Sequence, residues 1–150
     1  MKAIGVQYLP LDELLKRSDI VSLHCPLRPE TYHLLDAAAF AKMKDRVMVI
    51  NTSRGGLLNT PDVIDALKSG KVAYLGIDVY EQEQDLFFRD LSENIIQDEV
   101  FMRLMTFPNV IITAHQAFFT KEALTEIAAT TIYNLNQFRM GEDLVNGVSS

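Results

Sequence analysis

Residues 47–79 run VMVINTSRGGLLNTPDVIDALKSGKVAYLGIDV, and their reading decides the fold. Val47-Met48-Val49-Ile50 is a short apolar run rich in β-branched side chains, the mark of a strand buried on both faces. Asn51-Thr52-Ser53-Arg54-Gly55-Gly56 is polar and glycine-rich and reads as a loop. Thr60 then caps a helix with Pro61 at its first position and Gly70 beyond its end, while Val63, Ala66 and Leu67 supply an inward face. A second apolar strand follows from 72 to 79. Strand, helix, strand in so short a span implies parallel neighbours joined by a right-handed crossover.

Outward from this unit the alternation continues. Leu11 to Arg17 is a short helix candidate, and Asp19-Ile20-Val21-Ser22-Leu23-His24 follows as a strand. Asp36 is placed to cap a helix through Lys44, with Lys42 and Lys44 complementing the dipole at its end. Beyond the second strand, Glu81 to Gln97 is irregular and partly charged, and Asp98 to Met105 reads as a short helix. A strand at 110–113 comes next. Thr120 then caps the longest element, a helix over 120–141 ended by Gly141, with Leu124, Ile127, Ala128, Thr131, Leu135 and Phe138 on one face. The pattern is α/β with a parallel sheet, and residues 1–150 read as one domain.

The net charge of −6 disfavours nucleic acid or an anionic membrane as the main partner. The apolar runs are too short to span a bilayer, and no basic-then-apolar leader opens the sequence. Cys25, a single cysteine, cannot form an internal disulfide, which fits a reducing cytoplasm. The expectation is a soluble cytoplasmic protein.

Three polar residues follow three separate strands: Arg54 after 47–50, Glu83 after 72–79 and His115 after 110–113. In an open parallel sheet, ligands bind beyond the carboxyl ends of the strands. A cation, a carboxylate and an imidazole delivered there by three strands can share one pocket. Each also has a plain reading: Arg54 as a surface arginine in a glycine turn, Asp78 and Glu83 as solvated caps. Glu83 gains chemical meaning if His115 lies beside it, because a carboxylate bonded to one ring nitrogen fixes the tautomer and supports a proton donor. Arg54 offers a fork suited to a carboxylate, and the two glycines allow close backbone approach. The lysine and spacing of a Walker loop are absent.

The turn His24-Cys25-Pro26-Leu27-Arg28-Pro29-Glu30-Thr31 reads either as a plain strand ending or as a ligand wall made by Cys25 and Pro26. His24 and His33 read as structural. Phe87, Phe88, Phe118 and Phe119 read as core or pocket wall. No paired His/Cys spacing supports a metal site, so none is expected.

Four separated segments in order give a specific likeness: Ser18 to Leu27, Asn51 to Gly56, Gly76 to Glu81, and His115 to Phe118. Through them the sequence resembles the carboxy-terminal part of the D-isomer-specific 2-hydroxyacid dehydrogenases. The insert from Asp85-Leu86-Phe87-Phe88-Arg89-Asp90 through Gln97-Asp98-Glu99-Val100-Phe101 resembles the D-lactate branch in particular. The likeness implies a Rossmann-type doubly wound parallel sheet lacking its first strands, with NAD as cofactor and a small 2-oxo or 2-hydroxy acid as substrate. It implies that Arg54 binds the substrate carboxylate, Glu83 orients the histidine and His115 is the acid/base. It places Cys25, Pro26, Thr31, Thr52, Ser53, Arg54 and Asp78 against the cofactor. The implied reaction is reversible reduction of pyruvate or a similar 2-oxo acid. Alternatives within the likeness are a hydroxypyruvate or glyoxylate enzyme, and a non-catalytic homologue acting as a binding protein.

The sequence also departs from the family. It opens at Met1-Lys2-Ala3-Ile4-Gly5-Val6, already inside the implied dinucleotide domain, and contains no G-x-G-x-x-G turn. The likeness therefore implies a truncated NAD-binding domain with weakened grip on the pyrophosphate. It also implies an open edge on the strand at 20–24 and assembly as a homo-oligomer or with the absent amino-terminal portion.

Overall fold

A computed structural model of the chain describes residues 5–87 and 95–148. The readings placed on Met1-Lys2-Ala3-Ile4 and on Phe88, Arg89 and Asp90 lie outside the described residues. The chain falls into two compact units, Met1–His115 and Gln116–Ser150.

The first unit is built on four parallel strands, β1 (Ile20–Leu23), β2 (Val47–Asn51), β3 (Val72–Ile77) and β4 (Val110–Ile112), lying side by side in that order. Among the described residues, five α-helices accompany them: α1 (Leu11–Arg17), α2 (Ala37–Lys42), α3 (Thr60–Lys68), α4 (Glu83–Leu86) and α5 (Glu99–Met105). This is the Rossmann-type arrangement the sequence implies, and β1 carries one unpaired edge among the described residues. Within it the sheet is packed on one face. Val21 and Leu23 of β1, Val47 and Val49 of β2, and Val72, Leu75 and Ile77 of β3 are buried with Leu15, Leu35, Phe40, Val63, Leu67 and Leu104. The opposite face keeps Ile20, Tyr74 and Ile111 exposed. Strict alternation along β1 and β2 produces that asymmetry, since successive side chains point to opposite faces.

Local chemistry sets the element ends, and it corrects the sequence reading in two places. Asp36 caps α2 as expected, accepting from the Ala39 N–H at 2.8 Å. The helix stops at Lys42, however, and Lys44 instead pairs with Asp19 at 2.8 Å. The cap of α3 is Asn59, not Thr60. The Asn59 side chain accepts from the Asp62 N–H at 3.2 Å, which frees the Thr60 hydroxyl for Glu81. Asp98 caps α5, accepting from the Phe101 N–H at 2.8 Å.

The second unit holds α6 (Lys121–Met140), the longest helix. The Thr120 hydroxyl accepts from the Ala123 N–H at 3.2 Å, and Gly141 ends the helix at φ 69°, a left-handed conformation that suits glycine. The residues expected on one face are not covered. Leu124, Ile127, Leu135 and Phe138 are exposed among the described residues, and Gln137 is the buried side chain of the helix. Spacing determines which residues share a face, but burial needs a surface to meet it.

Candidate active site

The carboxyl ends of the four strands gather the loops that matter. At the end of β2, buried Asn51 shapes the turn that follows it. Its Nδ2 donates to the Arg54 carbonyl at 2.9 Å, and its Oδ1 accepts from the Ser53 N–H at 3.1 Å. The Ser53 hydroxyl donates to the Cys25 carbonyl at 2.7 Å, tying this turn to the end of β1. The Arg54 side chain is exposed and donates to the Ser53 carbonyl at 2.6 Å. The residue that follows Arg54 is glycine for a steric reason. A Cβ there would stand 2.1 Å from the Tyr80 carbonyl carbon, so backbone meets backbone with no room for a side chain.

Beyond β3 the chain runs through Asp78 and Tyr80 into α4. Asp78 is buried: its N–H donates to the Asn51 carbonyl at 3.0 Å, and its carboxylate accepts from the Thr113 hydroxyl. The Tyr80 hydroxyl donates to Asp98 at 2.8 Å; burial, and then that carboxylate, push the phenol far above its ordinary range. Glu83 opens α4. One of its oxygens accepts from the Tyr80 N–H at 3.0 Å, and the other lies 3.0 Å from His115 Nδ1.

His115 follows β4 in a tight turn. Ala114 and His115 have φ of 52° and 57°, in the left-handed region, and the His115 N–H donates to the Asp78 carbonyl. Two successive non-glycine residues there cost about 1–2 kcal/mol each, a strain characteristic of functional positions. The side chains of His115 and Glu83 are 35% and 17% exposed, so the pair is reachable from solvent on the imidazole side.

Of the three residues singled out after separate strands, the structure therefore joins Glu83 and His115 directly. Arg54 makes no bond to either, but its loop rests on the Tyr80–Glu81 peptide, one step from the backbone group that holds Glu83. The residues proposed for the cofactor lie at the ends of β1 and β2, except Asp78, which follows β3. Cys25 is half-buried, Thr52 is exposed, and the Thr31 hydroxyl donates to the Pro26 carbonyl at 2.7 Å while accepting from the Arg28 N–H at 2.8 Å.

A group of side chains that sequence reading passed over adjoins this site. His33, read as structural, bonds Glu81 at 2.6 Å, and Glu81 also bonds Thr60. The signal available in the sequence was weak, a carboxylate two residues before Glu83. Its partner lies 48 residues away.

Comparison with known proteins follows the same lines. Residues 1–117 match the family model described as D-isomer specific 2-hydroxyacid dehydrogenase, NAD binding domain. The D-lactate dehydrogenase of Escherichia coli strain K12 is 54% identical over 143 residues, covering 95% of this chain and 44% of that protein. A solved structure of the pyruvate reductase of Chlamydomonas reinhardtii superposes with a TM-score of 0.90 at 45% identity, covering 97% of this chain and 45% of the other. D-lactate dehydrogenase from Lactobacillus jensenii, solved with NAD+, gives a TM-score of 0.84 at 32% identity, covering 95% and 43%. The chain thus spans less than half the length of the relatives it matches.

Proposed function

The chain belongs to the D-isomer specific 2-hydroxyacid dehydrogenases, and on that premise we propose that it carries the catalytic half of an NAD-dependent D-lactate dehydrogenase. The observation that carries the reading is the Glu83–His115 pair, 3.0 Å apart beyond the strand ends, with the Arg54 loop packed against the same turn. Supporting the choice of pyruvate and lactate over other 2-oxo acids are the names of the similar proteins, a D-lactate dehydrogenase and a pyruvate reductase.

The roles follow from the groups. With His115 Nδ1 bonded to Glu83, Nε2 is the ring nitrogen that exchanges a proton with the substrate oxygen. Glu83 holds the ring orientation and offsets the charge of the imidazolium. Arg54 turns from its Ser53 carbonyl to clamp the substrate carboxylate, and its charge stabilises the oxygen as negative charge develops there.

NAD fits the chain at one end. The Cys25–Pro26 turn and the Thr52–Ser53 turn are bonded into one surface through Ser53 and Cys25, with Thr31 behind it and Asp78 buried nearby. These residues would hold the nicotinamide side, and NADH when bound supplies the hydride. The glycine turn that cradles a pyrophosphate has no counterpart in these 150 residues. Assembly as a homo-oligomer, in a reducing cytoplasm, belongs to the same proposal. No helix of the described residues is long and apolar enough to cross a membrane.

NADH oxidation with pyruvate, hydroxypyruvate and glyoxylate in parallel, with His115→Ala as control, tests the reading. His115-dependent turnover with pyruvate preferred supports it. Preference for either of the other acids replaces lactate with another member of the class, and turnover that survives in His115→Ala removes His115 from its role.

A further inference from the structure

Two residues before Glu83, Glu81 takes part in a set of bonds that the proposed reaction does not use. Its Oε1 lies 2.6 Å from His33 Nε2, and its Oε2 accepts from the Thr60 N–H at 3.0 Å and from the Thr60 hydroxyl. On its other side, His33 Nδ1 faces Asn59 Nδ2 at 3.2 Å. Asn59 Oδ1 already accepts from the Asp62 N–H at 3.2 Å, which fixes the amide with its nitrogen toward His33. An amide nitrogen only donates, so His33 Nδ1 must accept, and Nε2 carries the proton given to Glu81. Both ring nitrogens and both carboxylate oxygens are then used.

This closed set anchors the peptide on which the active-site residues converge. The Tyr80–Glu81 peptide touches Gly55 on one side, where a Cβ would lie 2.1 Å from the Tyr80 carbonyl carbon and 2.4 Å from the Glu81 nitrogen. The Tyr80 N–H holds the Glu83 carboxylate at 3.0 Å. Arg54 is thus located through Gly55, and Glu83 with His115 through Tyr80, against one short piece of backbone. His33 is itself pinned by its N–H to the Gly56 carbonyl at 2.8 Å, and its backbone φ of 52° is left-handed. The anchor therefore reaches the Arg54 loop by a second route.

We propose that Glu81, clamped by His33 and Thr60, is a positioning residue that holds the Tyr80–Glu81 peptide and so fixes Arg54 and the Glu83–His115 pair relative to each other. The proposal rests on the catalytic reading of those three residues. Small errors in such placement matter, since a displacement of about 1 Å at a reacting group costs on the order of a hundredfold in rate.

The test reads the ring nitrogens of His115 by NMR in the 150-residue chain, with no need for turnover. In the unaltered chain, a proton resonance on His115 Nδ1 reports its bond to Glu83, and Glu83→Gln identifies that resonance by perturbing it. Glu81→Gln is expected to broaden or abolish the same resonance while the backbone amide spectrum stays folded. Thr60→Val gives the same result in weaker form and serves if Glu81→Gln does not fold. His33→Gln, which keeps a donor for Glu81, retains the signal. An unchanged His115 resonance in both Glu81→Gln and Thr60→Val, with only a lower melting temperature, overturns the proposal. Absence of any Glu83-dependent resonance in the unaltered chain overturns it too. A lack of NADH oxidation alongside the expected spectra would instead count against the catalytic reading alone.

Discussion

Two carboxylate–imidazole pairs stand two residues apart on one loop, and they are built for different ends. His33–Glu81 is closed, with Asn59 on one flank, Thr60 on the other and the ring tautomer dictated by an amide. In Glu83–His115 the carboxylate is divided between a backbone N–H and the ring, and the imidazole is the more exposed partner. Both histidines sit at positive φ. On the two proposals above, the same backbone conformation and the same two functional groups serve once to hold a loop and once to present a proton. What separates them is the flank of each ring: the His33 ring faces the amide that caps α3, whereas the His115 ring is the more exposed, 35% against 26%.

The largest expected effect falls on Glu83–His115. His115→Ala lowers kcat with pyruvate by roughly 10²–10⁴-fold, the range for loss of a general acid or base, with little change in melting temperature. A variant that loses stability instead of rate would make this pair structural as well. Gly55→Ala comes next. Its Cβ has no space beside the Tyr80 carbonyl, and the strain costs about 1–3 kcal/mol, read by urea unfolding. A wild-type midpoint would mean that the two loops move apart freely.

The sharpest contrast sets Glu81→Gln against Glu83→Gln. The first removes the charge from a satisfied, partly buried group and costs about 1–2 kcal/mol of stability. The second is close to neutral in unfolding but reduces turnover. Equal losses in both assays would erase the distinction drawn here. The smallest effect concerns Tyr80. Its phenol is raised in the folded state above its ordinary value of 10.0, so above that pH the unfolded chain ionises first and stability falls. Tyr80→Phe should flatten that alkaline fall, and an unchanged slope would place its origin elsewhere.

How much of this was legible in the sequence follows from the range of each interaction. The strand at 47–50, the Asp36 and Thr120 caps and the stop at Gly141 depend on neighbours within a few residues, and they were readable. Thr60 was misread for the same reason. Asn59 and Thr60 are both capable caps, and the choice between them is made by Glu81, 21 residues away. Likewise, the place of Glu83 beside His115 was an inference from strand order, whereas nothing local marks His33 as the partner of Glu81. The helical stripe from Leu124 to Phe138 was legible as a stripe, but periodicity carries no information about what, if anything, covers it.

One side chain in this molecule does two jobs with two different atoms. The Asn59 amide both caps α3 and supplies the N–H that sets the His33 proton. Deamidation, the common chemical ageing of asparagine, would replace that nitrogen with an oxygen. The cap would survive, because a carboxylate still accepts from the Asp62 N–H, but the neighbour of His33 would change from donor to acceptor. An old sample and a fresh one could then share the same fold and melting behaviour near neutral pH and differ in how the ring beside Glu81 carries its hydrogen.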